Sequence, residues 1–184
     1  TTFSSTSDGA APVPISSGSE FSDPDDDGKV NQASLTFSED IEGTSSLEAG
    51  DFEVTGSDKD VLGGTTVSNP TFSASDTVQF ALSEGSTNDT RLSGSISLDY
   101  TQTDGNPDSL TDGDNPVTDF SQTLSDAAEP VISSAQTSGT DSNGDINKIT
   151  VTYSENIKSD DRPVPASAYS LSTGSVSSTA DTTN

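Results

Sequence analysis

The chain repeats itself at a spacing of 116 to 118 residues, and this spacing limits its fold more than any other feature does. Asp8 to Val13 parallels Asp126 to Val131, and Gly28 to Glu39 parallels Gly144 to Glu155. Asp51 to Thr55 parallels Ala168 to Ser172, and Thr1 to Ser4 parallels Thr118 to Ser121. The matching stretches also keep one alternation of apolar and polar side chains. Ala33, Leu35 and Phe37 return as Ile149, Val151 and Tyr153. Phe52 and Val54, then Val78, Phe80 and Leu82, then Ile96, Leu98 and Tyr100 follow the same rule. A period of two is the signature of a half-buried strand, whose successive side chains point to opposite faces. Residues 8–125 therefore read as one complete unit and 126–184 as the N-terminal half of the next. Residues 1–7 read as the closing strand of a preceding unit. A frame that starts and stops in mid-repeat predicts an excerpt from a longer tandem array.

Composition alone points the other way. Leu, Ile, Val and Phe total 34 of 184 residues, and 31 acidic residues face 6 basic ones for a net charge of -25. Few apolar residues with high charge ordinarily mark a disordered chain. The register kept across two copies overrides that reading, because a disordered chain has no reason to preserve it. Ser and Thr make up about a third of the sequence, and Asp outnumbers Glu by 23 to 8. Such usage favours strands and turns over helices. Seven runs fit one unit, at 12–18, 29–38, 50–56, 65–73, 76–83, 92–101 and 117–124. Clusters of Gly, Pro, Asp and Asn separate them and can reverse the chain. About seven short antiparallel strands in some 117 residues describe an all-β fold of the β-sandwich type.

The absent residue types exclude much chemistry. No His, Cys, Met or Trp is present. A Ser-His-Asp triad, a thiolate nucleophile, a Cys- or His-ligated metal and a disulfide framework are all ruled out. A carboxylate pair carries no information in a chain this acidic. The aromatics that would line a sugar cleft are reduced to Tyr100, Tyr153 and Tyr169, all at expected core positions. No catalytic residues are assigned, and the chain is not expected to be an enzyme. Phosphates would be repelled, so nucleic acid is not an expected partner. No run of about 18 apolar residues offers a membrane span in this segment.

The runs Pro12-Val13, Leu35 to Ile41 and Asp51 to Val54, with the closing stretch Leu110 to Val117, resemble the bacterial Ig-like repeats of S-layer and giant cell-surface proteins. The resemblance rests on an apolar strand ending Thr36-Phe37-Ser38-Glu39, a Asp51-Phe52-x-Val54 strand, and a turn through Asp112, Gly113 and Asn115. Asp114 between the Gly and the Asn departs from the pattern. The resemblance implies an Ig-like antiparallel sandwich, an extracellular, cell-surface location and no catalysis. Its role would be that of a spacer, filament or lattice unit, with adjacent repeats or copies of itself as head-to-tail partners. The alternative is an adhesin or carbohydrate-binding module whose loops at one pole recognise a partner. Phe21, beside the acidic loop, is the one aromatic that would serve it.

Two features bear on ligands. Asp23-Pro24-Asp25-Asp26-Asp27-Gly28 has the alternating acids and terminal Gly that offer hard oxygens to one cation. It is not an EF-hand, because the twelfth position is Ser34, inside an expected strand. The second copy keeps Asp141, Asn143 and Gly144 but has Gly139 in place of Asp23. In an Ig-like topology the first loop lies at the far pole of one unit, close to the start of the next. Asp25, Asp27, Asp126 and Glu155, with Asp23, are thus candidate ligands for calcium (Ca2+) stiffening the joint, all without an evident basic partner. The competing use of these acids is to bond turn amides. The second feature is the sequon Asn88-Asp89-Thr90, a candidate N-glycosylation site at Asn88. The charge itself predicts a halophile. At molar salt the Debye length falls to roughly 3 Å and self-repulsion is quenched.

Overall fold

Strands form where the alternation places them, and the rows of inward side chains assemble into one core. The computed structural model describes residues 8–42, 47–59, 62–86, 95–102, 110–157 and 161–180. Within these, β1 (Pro14–Ser22), β2 (Gln32–Phe37), β3 (Phe52–Gly56), β4 (Val67–Ala74), β5 (Thr77–Leu82), β6 (Ile96–Tyr100) and β7 (Phe120–Thr123) make up the first unit. The short β8 (Ser125–Asp126) leads into β9 (Ile132–Ser138) and β10 (Lys148–Tyr153). One sheet has the order β4-β5-β2-β1-β8, a second the order β3-β6-β7, and β9 and β10 pair as a hairpin. All ladders are antiparallel except that of β1 with β8. The all-β expectation holds among the described residues, and six of the seven expected runs coincide with a strand to within a few residues.

The two sheets of the first unit pack face to face. Ala33, Leu35 and Phe37 of β2 are buried, as are Val78, Phe80 and Leu82 of β5. They face Phe52 and Val54 of β3 and Ile96, Leu98 and Tyr100 of β6, which are also buried. Aromatic rings bridge the layers. Phe52 lies 4.6 Å from Phe80 and Phe37 6.0 Å from Phe120 across the sheets, while within one sheet Tyr100 lies 5.0 Å from Phe52 and stacks on Phe120 at 5.3 Å. Ring pairs at these separations add about 0.5–1.5 kcal/mol each beyond the area they bury. The Tyr100 assignment to the core is correct.

The run expected at 12–18 is the one that shifts. It forms Pro14–Ser22 because its alternation breaks at a bulge between Ile15 and Glu20. Gly18 takes φ +82 there, and a Cβ would sit 2.9 Å from Thr36 Oγ1. Ser19 fills the gap in the ladder: its hydroxyl donates to Ile15 O (2.6 Å) and accepts from Thr36 N–H (3.0 Å). Past the bulge the strand resumes with Phe21 pointing inward, 0% exposed. The loop aromatic proposed for partner recognition is therefore a core residue.

The parallel stretches of sequence share hydrogen bonds as well as residues. Val13 N–H donates to Ser38 Oγ (3.2 Å) and Ser38 N–H returns to Val13 O (2.9 Å). Val131 and Ser154 make the same clasp at 3.1 and 2.8 Å. Asp8 accepts from Ala10 N–H (3.0 Å) as Asp126 does from Ala128 N–H (3.1 Å). Gly28 and Gly144 share φ +88. The second stretch is less covered: Ile149 is 39% exposed where its counterpart Ala33 is fully buried. Tyr153 and Tyr169, the counterparts of Phe37 and Phe52, are part-buried and share a 2.6 Å hydrogen bond between their hydroxyls. Burial and that bond push the Tyr153 hydroxyl up to about 12.

Candidate metal centre

The bulge delivers β1 to the far pole, where the chain must reverse into β2 within a few residues. Asp26 at φ +56 and Gly28 at φ +88 make that reversal. Asp23, at its start, is drawn inward and is 6% exposed. Its Oδ2 accepts from Gly28 N–H at 2.8 Å, which closes the loop. One carboxylate oxygen from each of Asp23, Asp25 and Asp27 lies within 4.8 Å of the others. Like charges at that distance repel by ~1 kcal/mol in water and ~3.5 kcal/mol at an effective dielectric of about 20. Asn31, on the approach to β2, leans over the same group and donates Nδ2–H to Asp25 Oδ1 at 2.9 Å.

The second carboxylate oxygen of Asp23 and the amide oxygen of Asn31 are both buried and receive no hydrogen bond. Buried acceptors without a donor are rare, because each forfeits its solvation. Rotating the Asn31 amide does not help, since it would set an oxygen against Asp25. These two oxygens stay open beside the donated ones, and carboxylate and amide oxygens are the ligands a hard cation takes. The expectation that these acids lack a basic partner is corrected at Asp27. Lys29 Nζ stands 3.2 Å from Asp27 and 3.1 Å from Glu84. Hydrogen bonds to Glu84 and then Asp27 raise the Lys29 ammonium above its usual range.

Asp126 and Glu155 lie outside this set. Asp126 reaches the far pole, paired with Phe21 through β8 and held by the Ala127 N–H to Phe21 O bond at 2.9 Å. Its carboxylate caps Ala128 N–H. Glu155 follows the Val131–Ser154 clasp at the end of β10. Asn88 lies outside the described residues.

A second acidic group gathers Asp8, Glu39 and Asp112 at the near pole. Glu39 follows β2, and its carboxylate approaches that of Asp8 within 4.8 Å. Asp112 arrives with the closing turn, where it accepts from Asn115 Nδ2 (2.9 Å), Asn115 N–H (2.5 Å) and Asp114 N–H (2.7 Å). Those bonds, chiefly Asn115's, hold the Asp112 carboxyl below the usual range. Burial, then Asp8 and Asp112, push Glu39 up. The signs are opposite. Asp112 contributes stability that is lost as pH falls through its lowered value, whereas Glu39 protonation favours the folded state as pH falls. Glu39→Gln is accordingly expected to melt about 1–2 °C higher than the parent at pH 7, in the lowest salt that keeps the parent folded. The gain should vanish below about pH 4, where the parent's Glu39 is protonated too. A calorimetric melt that finds the variant less stable at pH 7 would refute this.

No protein-family model, no curated protein and no solved structure matches this chain.

Proposed function

We propose that the chain is a structural repeat of an exported cell-surface or filament protein of a halophile, built from Ig-like units arranged head to tail. The observation that carries this reading is the agreement of strand order with internal repetition. The arrangement β4-β5-β2-β1 against β3-β6-β7 matches the two-sheet order of Ig-like sandwiches. The Val13–Ser38 clasp, the Asp8 cap and the turn glycine recur together 116 to 118 residues later. β8 ties the start of the second unit to the last strand residues of β1 in the first, so load on one unit reaches the next through backbone hydrogen bonds. The spacer reading is favoured over the adhesin module because Phe21 is buried and leaves the far-pole loop without its aromatic. A cell-surface location follows from the family resemblance of the sequence.

Units about ten residues tall at 3.3 Å per residue would add some 30–40 Å each. Electron microscopy of the full-length protein is expected to show a thin rod whose length grows by about that much per repeat. A compact particle whose longest dimension ignores repeat number would rule the spacer reading out.

A further inference from the structure

We propose that the loop between β1 and β2 binds one calcium ion within a single unit, held by Asp23, Asp25, Asp27 and the side-chain oxygen of Asn31. Clustered acids alone would not support this. The support is the buried Asp23 side chain, 6% exposed, whose Oδ1 receives no donor, together with the equally undonated, buried Asn31 Oδ1.

The second copy shows what the same loop does when no cation is called for. There Asn147 makes the equivalent bond from Nδ2 to Asp141 Oδ1 at 3.0 Å. Its oxygen, however, is satisfied twice, by Thr140 N–H at 2.9 Å and Thr140 Oγ at 3.0 Å. In the first copy the position of Thr140 is taken by Pro24, which has neither an N–H nor a hydroxyl. The position of Gly139 is taken by Asp23. Two substitutions thus remove both donors to the Asn31 oxygen and add a buried carboxylate to the same loop. Each change costs stability unless a cation completes the cage. Carboxylates with an amide oxygen, and no nitrogen or sulfur ligand, match the ligand set of calcium, which accepts six to eight oxygens in flexible geometry. Lys29 neutralises part of the charge at Asp27 from the side and is shared with Glu84. Asp126 and Glu155 are not needed, since the ligands come from one loop and the first turn after it.

The test uses the whole chain in buffers of matched ionic strength. With calcium about 100-fold above its dissociation constant, the melting temperature is expected to rise about 5–10 °C over the same buffer with chelator. Equilibrium dialysis with calcium should find one tight ion per chain. The double variant Asp23→Gly with Pro24→Thr gives the first loop the second loop's residues at those two positions. It is expected to fold without calcium, to lose the ion and to lose the shift. Asp126→Asn and Glu155→Gln are expected to keep both. Identical parent melts in calcium and chelator would overturn the proposal, and so would a double variant that still binds the ion. Loss of the ion in Asp126→Asn or Glu155→Gln would overturn it in favour of a site at the joint. If the double variant does not fold, Asp25→Asn, at an exposed position, provides the same readout.

Discussion

Dialysis from molar to millimolar sodium chloride, with chelator present throughout, is expected to unfold most of the protein at 25 °C. Six cations cannot neutralise 31 carboxylates however they are paired. The acids are also brought together by the fold: Asp23, Asp25 and Asp27 at one pole, and Asp8, Glu39 and Asp112 at the other, each within 4.8 Å. At 1 M salt the Debye length is roughly 3 Å and screens all but the closest pairs; at 10 mM it is roughly 30 Å and spans the unit. Unfolding lets the charges spread, so low salt favours the unfolded chain. A typical domain is stable by only about 5–15 kcal/mol, which repulsion of several kcal/mol among many pairs can consume. Circular dichroism along a salt titration would follow the loss of strand signal. Potassium chloride should restore the fold at the same ionic strength as sodium chloride, because the effect is screening and not ion-specific binding. A melting temperature equal within about 2 °C at both salt levels would contradict the brine reading of the composition.

That result would also explain why the composition misleads when read alone. A charge of -25 with so few apolar residues describes a disordered chain only if the apolar residues are scattered. Here Leu35, Phe37, Val78, Phe80 and Leu98 sit on alternating positions and are at most 1% exposed. The period of two exposes that placement directly. The recurring polar residues were legible as positions but not as roles. Ser38 and Ser154 turn out to clasp the strand that begins each unit, which becomes visible only when Val13 and Val131 are seen opposite them. Phe21 points inward because Gly18 and Ser19 form a bulge that resets the alternation, and no single-strand pattern reveals a bulge made by a hydroxyl on another strand's amide. Asp23, Asp25 and Asp27 were legible as a group from their spacing. Asn31 joined the group only in three dimensions, although a comparison of Pro24 with Thr140 in the sequence already held the signal.

Phe52→Ala is expected to cost about 3–5 kcal/mol, the usual range for removing a buried aromatic ring, and to lower the melting temperature by roughly 10–20 °C in molar salt. Phe52 is 3% exposed and touches Phe80 and Tyr100 with ring centroids at 4.6 and 5.0 Å. The cavity left behind would open between two sheets whose backbones are held by separate ladders, so neither can collapse freely to fill it. Ile149→Ala, at a position 39% exposed, should cost less than about 1 kcal/mol and serves as the control for lost apolar volume without a cavity. The informative measurement is the double-mutant cycle with Phe80→Ala. Phe52 belongs to β3 and Phe80 to β5, in different sheets. Two rings in contact across the layers should couple by about 0.5–1.5 kcal/mol, whereas rings in independently packed sheets would lose their energies additively. Strict additivity would mean that the face-to-face arrangement does not exist in solution, and with it the Ig-like reading would fall. Coupling of the expected size would fix the two sheets as halves of one core, because ring contact across β3 and β5 is possible only if their inward rows meet.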